Sequence, residues 1–163
     1  MSGDGLPRVF LTPDALDVIR AETAAAQDGL ETGGILLGQG DGRPDFYVMV
    51  AGSPGPKALH EPTRFLRDLD HATALAAQAW ADLQAVWIGE WHTHPTAGLT
   101  PSDADLTSYQ RHLHDADLNF DRFLSIIVAT EVGATRLAAW VVEPGQAVLA
   151  EVVVHQEEED GNG

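Results

Sequence analysis

The sequence contains no cysteine, which excludes disulfides, thiolate metal sites and a cysteine nucleophile. No apolar run approaches the ~20 residues of a membrane span, and residues Met1 to Arg8 have neither the basic start nor the apolar core of a secretory signal. Cytoplasmic residence is therefore expected, with no membrane partner. Positive charge is scarce too. Nine Lys and Arg face 25 Asp and Glu, for a formal net charge of −16. Such a field repels phosphate backbones, and no basic stripe offsets it, so nucleic acid is not an expected partner. A basic protein surface or a basic peptide tail would instead be steered in.

What is present is enough chain for one domain: at 163 residues, folding buries roughly 68–70% of the unfolded surface. The domain is expected to span residues 1–155. The acidic stretch 156–163, Gln156-Glu157-Glu158-Glu159-Asp160-Gly161-Asn162-Gly163, is too polar to pack and is expected to be a disordered tail.

The chain alternates strand-like and helix-like segments. After a short strand at Arg8 to Leu11, Thr12 is placed to cap a helix that opens with Pro13 and Asp14 and runs to about Gln27, with Gly29 ending it. Ile35 to Leu37 and Asp45 to Ala51 read as a hairpin around Gly40-Asp41-Gly42. Gly52 to Arg67 reads as irregular and is interrupted by Pro62. Phe65 within it reads as a lid on the core or a substrate contact. Leu69, Ala72, Leu75, Ala76, Ala79, Trp80 and Leu83 recur at helical spacing and predict one amphipathic helix over Leu66 to Leu83. Three further strands are predicted at Phe123 to Ala129, Thr135 to Val142 and Ala147 to Val154, joined by Glu131-Val132-Gly133 and Pro144-Gly145 turns. The fold class is α/β, a mixed central sheet flanked by helices.

The chemistry concentrates between His92 and Asp105. Ala85 to Trp91 is β-branched and aromatic and reads as a buried strand. His92 and His94, two apart, then project from one side of an extended backbone. Pro95 ends the strand, Thr96 to Pro101 form a loop, and Ser102 opens a helix with Asp105 one turn in. Two imidazoles and one carboxylate leave a tetrahedral Zn²⁺ with an open fourth position, as in catalytic sites. Ser102-Asp103-Ala104-Asp105 also resembles a capping box, with Asp in place of Glu or Gln. Capping and metal binding are compatible.

These residues resemble the JAB/MPN/JAMM metallopeptidase family, whose signature is a distant upstream Glu, His-x-His-Pro, then Ser and Asp three apart. The resemblance spans roughly residues 9 to 142 and implies a single MPN-like domain. By it, His92, His94 and Asp105 are the zinc ligands. The acid is best placed at Glu31, in Glu31-Thr32-Gly33-Gly34, as the general acid/base, and Ser102 donates to the developing oxyanion. Glu90 is the competing acid; alternation puts it on the face of His92 and His94, where it could orient an imidazole. His112 and His114 form a second His-x-His within a helical stretch, where residues two apart diverge by about 200°; they are expected at the surface. His60, His71 and His155 have no ligand-spaced companions and receive no role.

The resemblance further implies hydrolysis of peptide or isopeptide bonds after the C-terminal tail of a ubiquitin-like protein. Gly89-Glu90-Trp91-His92-Thr93-His94-Pro95 looks most like bacterial members that accompany ubiquitin-like activating and conjugating enzymes, including those of antiphage defence operons. The alternatives are a sulfur-carrier-protein hydrolase that releases an amino acid in biosynthesis and a non-catalytic MPN binding scaffold. Charge disfavours a role in DNA metabolism.

Overall fold

A computed structural model describes residues 5–40, 44–95, 98–131 and 134–154. The turns expected at Asp41-Gly42 and Val132-Gly133, the start of the loop expected after Pro95, His155 and residues 156–163 lie outside the described residues. Seven strands form one mixed sheet in the order β1 (Arg8–Leu11), β3 (Phe46–Ala51), β2 (Gly33–Gln39), β6 (Val86–Thr93), β7 (Phe123–Glu131), β8 (Ala134–Glu143), β9 (Gln146–Val154). The expected mixed sheet is present, and it curls until parallel pairing of β1 with β9 closes it into a barrel. The β1–β3 and β6–β7 pairs are also parallel, while the remaining neighbours are antiparallel. Closure leaves Val9, Leu11, Leu36, Val48, Trp91, Leu124, Ile126 and Val128 in one buried cluster.

Helix α1 (Pro13–Ala25) starts where the sequence places it: the Thr12 hydroxyl accepts from the Ala15 amide at 3.1 Å and donates to the Met49 carbonyl at 3.2 Å. It stops two residues short of Gln27. Ala15, Leu16 and Ile19 are buried, but nothing beyond them offers a large apolar side chain to hold the last turn to the sheet. Gly29, at φ +82°, belongs to the turn that follows, a conformation costly for any residue with a Cβ.

Helix α2 (Leu69–Leu83) begins three residues later than predicted. Asp68 caps it, accepting from the His71 amide at 3.2 Å and the Lys57 amide at 2.9 Å; these backbone donors hold its carboxyl below the usual range. Leu66 is instead spent in a two-stranded hairpin, β4 (Leu59–His60) with β5 (Phe65–Leu66), inside the stretch expected to be irregular. Ala79 is buried, and Ala72, Leu75 and Ala76 pack with it against Ile35, Leu37 and Ala85. Leu69, Trp80 and Leu83 share the helical spacing but are largely exposed, so the apolar face is narrower than the periodicity suggests.

Helix α3 (Asp103–Leu113) lies against β7 and β8. Tyr109 anchors it, fully buried, stacked at 5.2 Å on Phe123 and hydrogen-bonded at 2.6 Å to the Ser125 hydroxyl. No helix among the described residues is long and apolar enough to cross a membrane.

Candidate metal centre

Three elements converge on one point. Strand β6 carries His92 as its penultimate residue, and the ladder is prolonged past Thr93 by the His94 amide, which donates to the Val128 carbonyl at 2.9 Å. The alternation of the strand therefore puts both imidazoles on one side. Helix α3 supplies Asp105, and the segment entering β2 supplies Glu31.

The glycines after Glu31 make this approach possible. Gly33 pairs with His92 and Gly34 with Trp91 across the β2–β6 ladder. A Cβ on Gly33 would lie 2.3 Å from the Trp91 carbonyl oxygen, and one on Gly34 would lie 2.0 Å from that of Gly52. Both distances are far inside contact, so larger residues would push the strands apart. The Trp91 indole N–H then donates to the Gly52 carbonyl at 2.9 Å, locking the same corner from behind.

At the centre, His92 Nε2 and His94 Nε2 lie 3.0 Å apart, and Asp105 Oδ2 is 3.3 Å and 3.1 Å from them. Three ligands at about 2.0–2.1 Å from a tetrahedral ion would be separated by about 3.3 Å. The donor set thus fits one cation: the lone pairs of two nitrogens and one oxygen meet at nearly the edges of a coordination tetrahedron, and these atoms form a group able to hold a metal ion. His94 is oriented by its Nδ1, which lies 3.0 Å from the Gly98 carbonyl; donation there leaves Nε2 free to ligate. Asp105 Oδ2 also accepts from the Ser102 amide at 2.9 Å, and Ser102 Oγ accepts from the Asp105 amide at 3.1 Å. This is the expected capping box, and it leaves the Ser102 hydroxyl hydrogen available to another acceptor.

Glu31 is only 7% exposed. Burial raises its pKa, the charges of Asp105 and Glu90 add to the rise, and the neighbouring His92 and His94 partly oppose it. Burial also works against charge on His92, yet the Asp105 hydrogen bond and the acidic charges around it leave that pKa raised. Asp105 is held well below the usual carboxylate range: its burial is outweighed by the bonds from His92, His94 and the Ser102 amide.

The fold agrees with what the chain resembles. Residues 12–143 match the prokaryotic homologs of the JAB domain. The chain belongs to that family. A relative from Pseudomonas aeruginosa, named CD-NTase/cGAS isopeptidase, is 27% identical over 113 residues, covering 66% of this chain and 69% of the relative. The solution structure of a Desulfitobacterium hafniense protein superposes with a TM-score of 0.68 at 21% identity, covering 94% of this chain and 97% of that one.

Within the JAB domain the remaining sequence candidates separate. Glu90 does not touch the imidazoles in the expected orienting role; its carboxylate pairs with Arg67 at 3.5 Å, and the Arg67 guanidinium lies 4.9 Å from the centre of the Trp87 ring. His114 is exposed as expected, but His112 is half-buried. Its ring stacks on Phe123 at 5.2 Å, meets Trp87 edge-on and lies 3.2 Å from Arg67 Nη2. Neither histidine joins the group at the centre: His112 lies about two turns along α3 from Asp105, and His114 caps the helix end. His71 and His60, given no role from sequence, are hydrogen-bonded to the Ser53 hydroxyl and the Glu31 carbonyl. Sequence spacing gave no signal for Thr93, whose hydroxyl accepts from the Thr32 amide at 2.9 Å, nor for the Gly98 carbonyl.

The pKa directions predict how metal binding depends on pH. In the metal-free protein the depressed Asp105 pKa contributes stability above its unfolded value and loses it as pH falls. The raised His92 pKa contributes below the unfolded imidazole value and loses it as pH rises through the folded one. A cation held by these atoms would compete with protons for them, so a rise in Tm produced by added Zn²⁺ should grow between about pH 5.5 and about pH 8. Calorimetric scans with and without the metal check this; an equal rise at both ends would contradict it.

Proposed function

We propose that this chain is a zinc-dependent isopeptidase that processes or deconjugates a ubiquitin-like protein at its C-terminal tail. The convergence of His92, His94 and Asp105 beside a buried Glu31 supports the metallopeptidase reading most directly. The name of the Pseudomonas aeruginosa relative supports the isopeptide bond as target and a bacterial conjugation system as context.

His92, His94 and Asp105 hold the metal. Zinc bound there supplies Lewis-acid polarisation of the scissile carbonyl and acidifies a water toward a pKa of about 7. Glu31 takes the proton of the attacking water and delivers it to the leaving amine. Burial suits Glu31 to this exchange, because its raised pKa narrows the gap between holding and releasing a proton near neutrality. The Ser102 hydroxyl donates to the oxygen on which negative charge develops, a contact worth about 3 kcal/mol in related acyl chemistry.

An extended tail lies along the site and is recognised through its backbone hydrogen bonds. The net charge of −16 favours a substrate with a basic surface. Activating and conjugating enzymes of the same system, of the kind found in antiphage defence operons, are the expected functional companions, and the site of action is the cytoplasm.

The deciding experiment incubates the zinc-loaded protein with ubiquitin-like modifiers fused to a short peptide through the peptide bond and to a lysine side chain through the isopeptide bond. A single cut after the modifier's terminal residue, read by mass spectrometry and abolished by chelation, is the expected result. Intact fusions throughout would overturn the peptidase reading.

A further inference from the structure

We propose that the β4–β5 hairpin is the element that positions Glu31 for proton transfer, with His60 as the positioning residue; the proposal rests on the metallopeptidase reading above. Glu31 belongs to neither α1 nor β2 but to the irregular segment between them, where backbone groups ordinarily turn to water. Here both of its backbone groups are taken by the hairpin. The Glu31 amide donates to the Glu61 carbonyl at 2.8 Å, and His60 Nδ1 lies 3.0 Å from the Glu31 carbonyl, which can only accept. One residue on, the Thr32 amide donates to Thr93 Oγ1 at 2.9 Å and the Thr32 carbonyl accepts from the Thr93 amide at 2.8 Å. The hairpin and the metal-binding strand therefore grip adjacent residues, leaving Glu31 mainly its side-chain torsions.

His60 does this work from outside the metal group. Its ring packs on Phe65 at 5.4 Å, and the two residues are directly paired across the hairpin. Phe65, expected as a lid or a substrate contact, buttresses the imidazole. The hairpin is closed by its own bonds: the Glu61 amide donates to the Arg64 carbonyl at 2.9 Å, and Arg64 Nη2 is 2.7 Å from Glu61 Oε1. Removing the His60 donor thus leaves the barrel core untouched while freeing one side of Glu31. A proton carrier displaced by about 1 Å can lose on the order of 10²-fold in rate.

The test compares His60→Leu, which removes the donor, with His60→Asn, whose side-chain N–H can occupy the place of Nδ1–H. With the zinc-loaded protein and a modifier fusion, His60→Leu should lower kcat about 10- to 100-fold and leave KM within about twofold at unchanged zinc content. His60→Asn should recover most of kcat. Equal losses in both variants, a loss confined to KM, or full activity in His60→Leu would overturn the positioning role. Hydrogen exchange of the Glu31 amide decides the matter independently of catalysis: it should accelerate in His60→Leu and not in His60→Asn. Unchanged protection in His60→Leu refutes the clamp. A wild-type protein that cleaves no fusion would refute the proposed function, and the exchange result would still accept or reject the clamp.

Discussion

Replacing His92 or Asp105 by alanine is expected to remove metal and turnover together. On the proposed reading each would contribute one of three ligand atoms that lie within 4.8 Å of one another, and with two ligands left an ion would be held by too few donors to compete with water. Metal content, measured by elemental analysis, should fall from about one ion per chain to about none. Polarisation of the substrate carbonyl, worth several kcal/mol, disappears with it, so kcat/KM should fall at least about 10³-fold. The fold should persist. Asp105 sits in the first turn of α3, but that helix is anchored by Tyr109 against Phe123 and Ser125. His112→Ala is the matched control: it removes an imidazole that packs on Trp87 and Phe123, costs stability and leaves metal content unchanged. Full metal occupancy in both His92→Ala and Asp105→Ala would mean that the ligands lie elsewhere.

Glu31→Gln separates proton transfer from metal binding. The amide preserves the size of the side chain and the backbone bonds to Glu61 and His60, while removing the atom that accepts a proton. Metal content should therefore remain, and kcat should fall by about 10²- to 10⁴-fold, the usual contribution of a positioned base, equivalent to about 3–5 kcal/mol of transition-state stabilisation. KM should change little. In the wild type, Glu31 must be ionised to act as base, and its pKa is raised by burial. A cation at the site would oppose that rise, so the acid limb of the rate profile, with activity lost as pH falls through it, reflects the balance between burial and the charge of the metal. Unchanged turnover in Glu31→Gln would shift the proton carrier to Glu90, which is already engaged by Arg67.

The candidate site was legible in the sequence because its parts are local or strongly constrained. His-x-His before Pro is a strand-end pattern whose geometry follows from alternation alone, and Ser102 with Asp105 is a one-turn capping relation that holds in any helix start. Element boundaries were less legible where propensity met packing. Helix α1 ends at Ala25 because its buried face ends, although Ala26 follows, and Leu66 joins a strand because Leu59 lies opposite it and Asp68 already caps the helix. The two-residue strands of β4 and β5 are too short for a periodicity to register.

The sequence by itself determined the α/β class, the spacing that brings His92, His94 and Asp105 to one point, and the capping box that aims the carboxylate, since each depends on chemistry within a few residues. Tertiary structure alone decided that the sheet closes through β1 and β9, that Glu90 serves Arg67 rather than an imidazole, and that His60 reaches the Glu31 carbonyl across 29 positions. Those contacts join segments distant in the chain. Their partners are selected by the barrel's register and closure, and no local spacing encodes them.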